Sequence, residues 1–147
     1  MKSGFARSLA VLFFFANTAP AMEYVSVAQS DAILYDAPSV KAKKLFVVNR
    51  YTPFEQIVTL DDWIKVRDQS GGLYWVEKRD LSDKRYVVAL LPLVDVRAAP
   101  DASSPRLFQV RQQVALERLE STGTGWIKVR HQDGSVGYVR STEVWGG

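Results

Sequence analysis

Few residues in this chain could carry chemistry. His131 is the only histidine and there is no cysteine, so a Cys–His hydrolase is excluded for want of its nucleophile. A zinc site would need an unusual carboxylate supplement around one imidazole. His131 lies between Val129-Arg130 and Asp133-Gly134, which makes it a solvated residue of a hairpin turn. Asp61 and Asp62 form an acidic pair of the kind that shared-proton acid–base work requires, but neighbouring carboxylates on an exposed turn point apart and stay solvated. Gly123-Thr124-Gly125 lacks the strand-to-helix setting of a phosphate loop and reads as a hairpin turn. No catalysis, no metal and no cofactor are expected.

Recognition is a better use of the residues present. Tyr35, Trp63, Trp75, Trp126 and Tyr138 sit in or beside strand-like segments, where large rings offer contact area at little rotamer entropy. They are the ligand-binding candidates. The alternative is that Trp75 and Tyr138 plug sheet edges and one tryptophan is buried between domains. Arg97 is the sixth candidate: its planar fork suits a carboxylate, and it could equally brace the segment Ala98–Arg106.

The elements that must position these groups are repeated. WIKVRDQSGGLYWVEKRDL, from Trp63 to Leu81, returns as WIKVRHQDGSVGYVRSTEV, from Trp126 to Val144, at a spacing of 63 residues. Nearer the amino end the spacing is 62, linking Leu34 to Val96, Pro38 to Pro100 and Phe54 to Leu116. One residue inserted in Ser121–Gly125 reconciles the two. The repeat predicts two domains of about 60 residues, over 22–82 and 86–147. Trp-Ile-Lys-Val-Arg alternates with period two, which turns Ile64, Val66, Ile127 and Val129 inward and sets Trp63 and Trp126 on the more exposed side. Ser70-Gly71-Gly72 and Asp133-Gly134 join this strand to the next, Leu73–Glu77 or Val136–Arg140. The Asp-Gly pair can place both central turn residues at positive φ. Asp36–Lys44 and Ala98–Arg106 read as a long irregular loop, and Lys78–Leu81 and Ser141–Val144 as a short closing helical turn. Short antiparallel strands with no room for crossover helices predict an all-β fold of small curled sheets.

The first 21 residues have the layout of a secretory signal peptide, with Lys2 and Arg7, an apolar run from Leu9 to Ala16, and Ala19-Pro20-Ala21. The apolar run is too short to span a bilayer. Export to a periplasm or the cell exterior, with no membrane insertion after signal removal, is therefore expected. The formal charge of +3 includes Lys2 and Arg7; without them the chain is nearly neutral, which argues against a nucleic-acid partner. Small domains without disulfides are marginal alone. The four-residue link Ser82–Arg85 therefore predicts a compact, rigid pair.

Val94-Asp95-Val96-Arg97-Ala98-Ala99-Pro100, Gly125-Trp126-Ile127-Lys128-Val129 and Asp133-Gly134-Ser135-Val136-Gly137-Tyr138-Val139 resemble the opening and closing motifs of bacterial SH3-like domains. The first repeat is a worn copy, with Tyr35 at the arginine position, Tyr74 at the glycine of the closing motif and Asp62 answering to Gly125. The resemblance implies two tandem five- to six-stranded barrels, each with an RT-type loop, here Asp36–Lys44 and Ala98–Arg106. It favours the bracing role for Arg97. It further implies a non-catalytic exported module that recognises a peptidoglycan peptide or an envelope protein across a groove made by both barrels. The alternative is a structural adaptor for an envelope protein complex that does not itself touch the wall.

Overall fold

The computed structural model describes Gly4, residues 10–16 and residues 22–147; the leader expected over 1–21 lies largely outside the described residues. Residues 10–16 form neither helix nor strand, and Val11 to Phe15 are exposed. Among the described residues no helix is long and apolar enough to cross a membrane.

The first sheet comprises β1 (Tyr24–Val27), β2 (Ala32–Tyr35), β3 (Lys44–Val48), β4 (Pro53–Leu60), β5 (Trp63–Arg67), β6 (Leu73–Glu77) and β7 (Leu81–Ser82). The second comprises β8 (Tyr86–Ala89), β9 (Leu93–Arg97), β10 (Arg106–Arg111), β11 (Ala115–Ser121), β12 (Trp126–Arg130), β13 (Val136–Arg140) and β14 (Val144–Trp145). Strand order is β3-β2-β6-β5-β4-β1-β7 in one and β10-β9-β13-β12-β11-β8-β14 in the other. The two orders are the same permutation, so the sequence repeat is a repeat of topology. The fold is all-β, consisting of two small SH3-like domains in tandem. Each sheet has seven strands where five or six were expected. The difference includes β7 and β14, two-residue strands that follow the single 3₁₀ turns Lys78–Asp80 and Ser141–Glu143.

Alternation builds each core. In β5, Ile64 and Val66 are buried while Trp63, Lys65 and Arg67 are half-buried. Ile64 and Val66 join Val25, Val27, Leu34, Phe54 and Val76 in one cluster. The equivalent cluster holds Val87, Val94, Val96, Leu116, Ile127, Val129 and Val139. β-Branched side chains dominate both because they suit a pleated, half-buried surface. The outward set behaves differently at one position. Trp126 is only 7% exposed, which corrects the expectation that both tryptophans lie on the open side.

Turn chemistry sets the hairpin registers. In the β12–β13 turn Gly134 alone has positive φ (91°), and the His131 N–H donates to the Ser135 carbonyl at 2.8 Å. This is a three-residue loop, Gln132 to Gly134, ending in a left-handed glycine, rather than a turn with two positive-φ residues. The β5–β6 turn matches it, with Gly71 at φ 90° and Asp68 N–H on the Gly72 carbonyl. The inserted residue also has a visible place. Asp61 and Asp62 alone connect the paired Leu60 and Trp63, whereas a longer loop with Gly123 and Gly125 at positive φ joins β11 to β12.

The domains meet through rings. Tyr51 stacks on Tyr86 at 4.5 Å, and Tyr24 meets Trp145 edge-on at 5.5 Å. Ser26 donates through Oγ to the Lys84 carbonyl at 2.7 Å, and Gln69 bonds Gln113 across the junction at 2.7 Å. Gly146, at φ 109°, lies so close to Pro53 that a Cβ there would sit 2.7 Å from the proline ring. Val129 is fully buried, so Val129→Ala is expected to lower stability by about 1–3 kcal/mol through lost transfer energy and a cavity. Lys128→Ala, on the outward side, should cost much less; equal small losses in denaturant melts would show the strand phase to be wrong.

Candidate functional site

Register gathers the six sequence candidates into two equivalent faces, one per domain. In domain one Tyr35 pairs with Trp75, Trp75 with Lys65, and Trp63 with Glu77. In domain two Arg97 pairs with Tyr138, Tyr138 with Lys128, and Trp126 with Arg140. Both sets occupy the outer side of the same three strands. None of the six lines the cleft between the domains. A cleft made by both barrels is present, but the six candidates lie on two separate outer faces rather than in it.

The faces differ because single residues differ. On domain one Tyr35 is buried (4% exposed) and meets Trp63 edge-on at 5.2 Å. Lys65 Nζ stands 5.9 Å from the Trp75 ring, which is half-buried. On domain two Arg97 takes the place of Tyr35, and no ring fills the space beside Trp126. A recess of about 160 Å³ opens there between Leu93, Asp95, Arg97, Trp126, Arg140 and Glu143. Trp126 forms its floor beneath the Arg140 guanidinium, 4.8 Å away.

The two arginines of the recess are not equivalent. Arg97 donates from Nη1 to the Ser104 carbonyl at 2.8 Å and from Nη2 to Asp95 at 3.2 Å. Its fork is used within the protein and ties β9 to the loop that follows. Arg140 is exposed and forms no ion pair among the described residues. Of the two guanidinia of the recess it is the one without an ion pair. Arg140 was not singled out from the sequence. Its alternation with Tyr138 on β13 and its position beside Trp126 on β12 are the signals that would have found it. His131 sits in its turn with Nδ1 3.2 Å from Asp133 and its ring 5.9 Å from Phe108.

The loop between β9 and β10 is fixed by polar bonds. Ser104 Oγ donates to the Ala99 and Asp101 carbonyls. The Asp101 carboxylate accepts from Ser103 N–H at 3.0 Å and Ser103 Oγ at 2.9 Å. These bonds, the backbone one first, hold the Asp101 carboxyl below the ordinary carboxylate range. Such a group contributes stability that is complete above the unfolded-state value and lost as pH falls through the depressed folded value. In an NMR titration Asp101 should titrate below an ordinary aspartate, and Ser103→Ala should move its midpoint up. Unchanged midpoints would show that the serine does not order the loop. Arg97→Ala should increase amide exchange in Ala98–Arg106, with little change in domain one.

Two family models, each described as a bacterial SH3 domain, match the chain, one over residues 28–83 and the other over 92–144. No curated protein sequence matches it. Among solved structures the chain is similar to NlpC2 from Trichomonas vaginalis at 8% identity and a TM-score of 0.38, covering 88% of this chain and 50% of that one. It is similar to NlpC1 from the same organism at 10% identity and 0.38, covering 95% and 51%. A third similarity is to an NlpC/P60 family protein from Bacillus cereus, at 14% identity and 0.39, covering 83% and 55%. The chain spans about half the length of these structures. With one match in each half and one strand order in both sheets, the chain belongs to the bacterial SH3 domain family, as a tandem of two such domains.

Proposed function

We propose that this protein is a non-catalytic exported module that binds a peptidoglycan peptide through the outer face of domain two. Bacterial SH3 domains are generally non-catalytic binding modules and are typically extracellular or periplasmic. The observation that carries the reading is the exposed Arg140 guanidinium over Trp126, beside the half-buried Tyr138. A peptide stem offers carboxylates for the arginine and short aliphatic side chains for the half-buried Tyr138 ring. Charge-assisted hydrogen bonds supply orientation, and the aromatic supplies contact area. Arg97 supports the face from behind by fixing the loop. The first 21 residues, read as a leader, supply the route to the envelope. In wall binding domain one then serves as a rigid partner, since Tyr35 fills the space that is open beside Trp126.

The near balance of charge apart from Lys2 and Arg7 makes bulk attraction to the wall a minor term, so binding should weaken only modestly with salt. In a pull-down with purified, protein-free wall, folded wild-type protein should be retained at low salt. Tyr138→Ala and Arg140→Ala should each weaken retention by about 1–2 kcal/mol. Combined neutralisation of Lys41, Lys43 and Lys44 should do less. Trp126→Ala is the wrong probe, because removal of a buried ring tests folding. No retention of folded wild-type protein on the wall would overturn the reading. Loss in the lysine variant but not in the other two would move the site to the charged loop and favour an envelope-protein adaptor.

A further inference from the structure

Strand β3 is an edge strand whose only sheet partner among the described residues is β2. Edges of this kind offer unpaired N–H and C=O groups and are usually blunted by charge. In domain two the equivalent strand, β10, is guarded by exposed Arg106, Gln109 and Arg111, and its Phe108 packs on the core. In domain one the strand reads Lys-Leu-Phe-Val-Val, and Phe46 and Val47 are 56% and 67% exposed. β10 also exposes Leu107, but two adjacent exposed apolar residues at the middle of the edge strand are specific to one copy.

A second departure from the repeat lies beside it. Domain two has Gly137 at the position of Tyr74, where a Cβ would lie 2.5 Å from Val96 Cγ1 and 2.9 Å from the Arg97 carbonyl. In domain one Tyr74 turns back over Gly72, where any Cβ would meet its hydroxyl at 2.4 Å. Its ring faces Phe46 edge-on at 5.5 Å. Together they line one wall of a cleft of about 700 Å³, whose opposite side carries Gln113, Val114 and Trp145 of domain two. That volume lies within the range of roughly 300–1,000 Å³ typical of ligand sites.

Charge selects the occupant. From Lys41 to Arg50 the chain has Lys41, Lys43, Lys44 and Arg50 and no acidic residue. None of the four forms an ion pair among the described residues. A second copy fits less well, because self-pairing of β3 brings two sets of Lys41, Lys43, Lys44 and Arg50 together with no acidic residue between them, and about Phe46 and Val47 it sets Lys43 opposite Arg50. An extended peptide with apolar residues at its centre and acidic residues at both ends fits edge, cleft and charges together. We propose that β3 binds such a segment of a partner protein by strand addition at its free edge beside the cleft, with apolar side chains of the segment resting on Phe46, which Tyr74 backs at 5.5 Å. This surface is separate from the face assigned to wall binding and stands or falls independently of it.

The probe is a fluorescent, capped peptide Asp-Glu-Val-Thr-Val-Thr-Val-Glu-Asp, read by anisotropy with the full chain. Saturable binding is expected. Exchanging the acidic ends for lysines should weaken it by roughly tenfold or more, and a proline at the centre should abolish it. Phe46→Ser changes an exposed residue, so the fold should persist while binding is lost. The combined Lys43→Ser, Lys44→Ser and Arg50→Ser variant should lose the preference for acidic ends, and Tyr138→Ala should bind the peptide as wild type does. No binding, equal binding of the lysine-ended peptide, or binding that Phe46→Ser leaves intact would overturn the proposal. Self-association in sedimentation that Phe46→Ser abolishes would make a second copy the occupant and also overturn it. Retention of Phe46→Ser on protein-free wall reports the other site separately.

Discussion

Everything in this protein depends on period-two alternation along a strand in a barrel too small to have a second layer. With about 60 residues per domain, a side chain on the central strands is core, outer face or edge. Ile64, Val66, Ile127 and Val129 take the inward direction in both copies. The intervening residues are thereby committed to the outer face whatever their chemistry. That commitment is why Tyr35, Trp63 and Trp75 are neighbours in one domain and Arg97, Trp126 and Tyr138 in the other, although each trio spans three strands.

The two copies keep their cores and diverge on their surfaces. Replacing Tyr35 by Arg97 and Glu77 by Arg140 converts an aromatic cluster into a recess flanked by two guanidinia. Replacing Gly137 by Tyr74 exchanges tight strand contact for a ring that faces Phe46. The amino-terminal domain is thus less a decayed version of the other than a barrel with different residues at its outer face and at one edge. Between them, Tyr51–Tyr86 and Tyr24–Trp145 tie the domains at the end where the link runs.

Periodicity and turn residues made much of this legible before any coordinates. The limits of β5, β6, β12 and β13 follow directly from the alternating runs and their Gly-containing turns, and the inserted residue appears as the longer loop before Trp126. The burial of Trp126 was not legible, because it depends on Arg140 lying across the ring from the next strand. Whether Arg97 grips a ligand or its own loop depended on where the Ser104 carbonyl falls, and sequence alone left both open. A groove made by both barrels was expected, but the residues that line the cleft between them were hidden for a further reason. Phe46 and Tyr74 meet within domain one, and only the docking of the second sheet brings Trp145 to the same cleft, which no local pattern records.

The Tyr74–Gly137 difference has a consequence for how the chain reaches its fold. Tandem copies with one topology and nearly the same central strand are prone to exchanging strands during folding. If β6 were to take the place of β13, the Cβ of Tyr74 would fall where Gly137 sits, against Val96 and the Arg97 carbonyl. The swapped arrangement is sterically closed in that direction. A single glycine thus bars the first hairpin from the second barrel, and leaves the reverse exchange to be decided by the other differences between the copies.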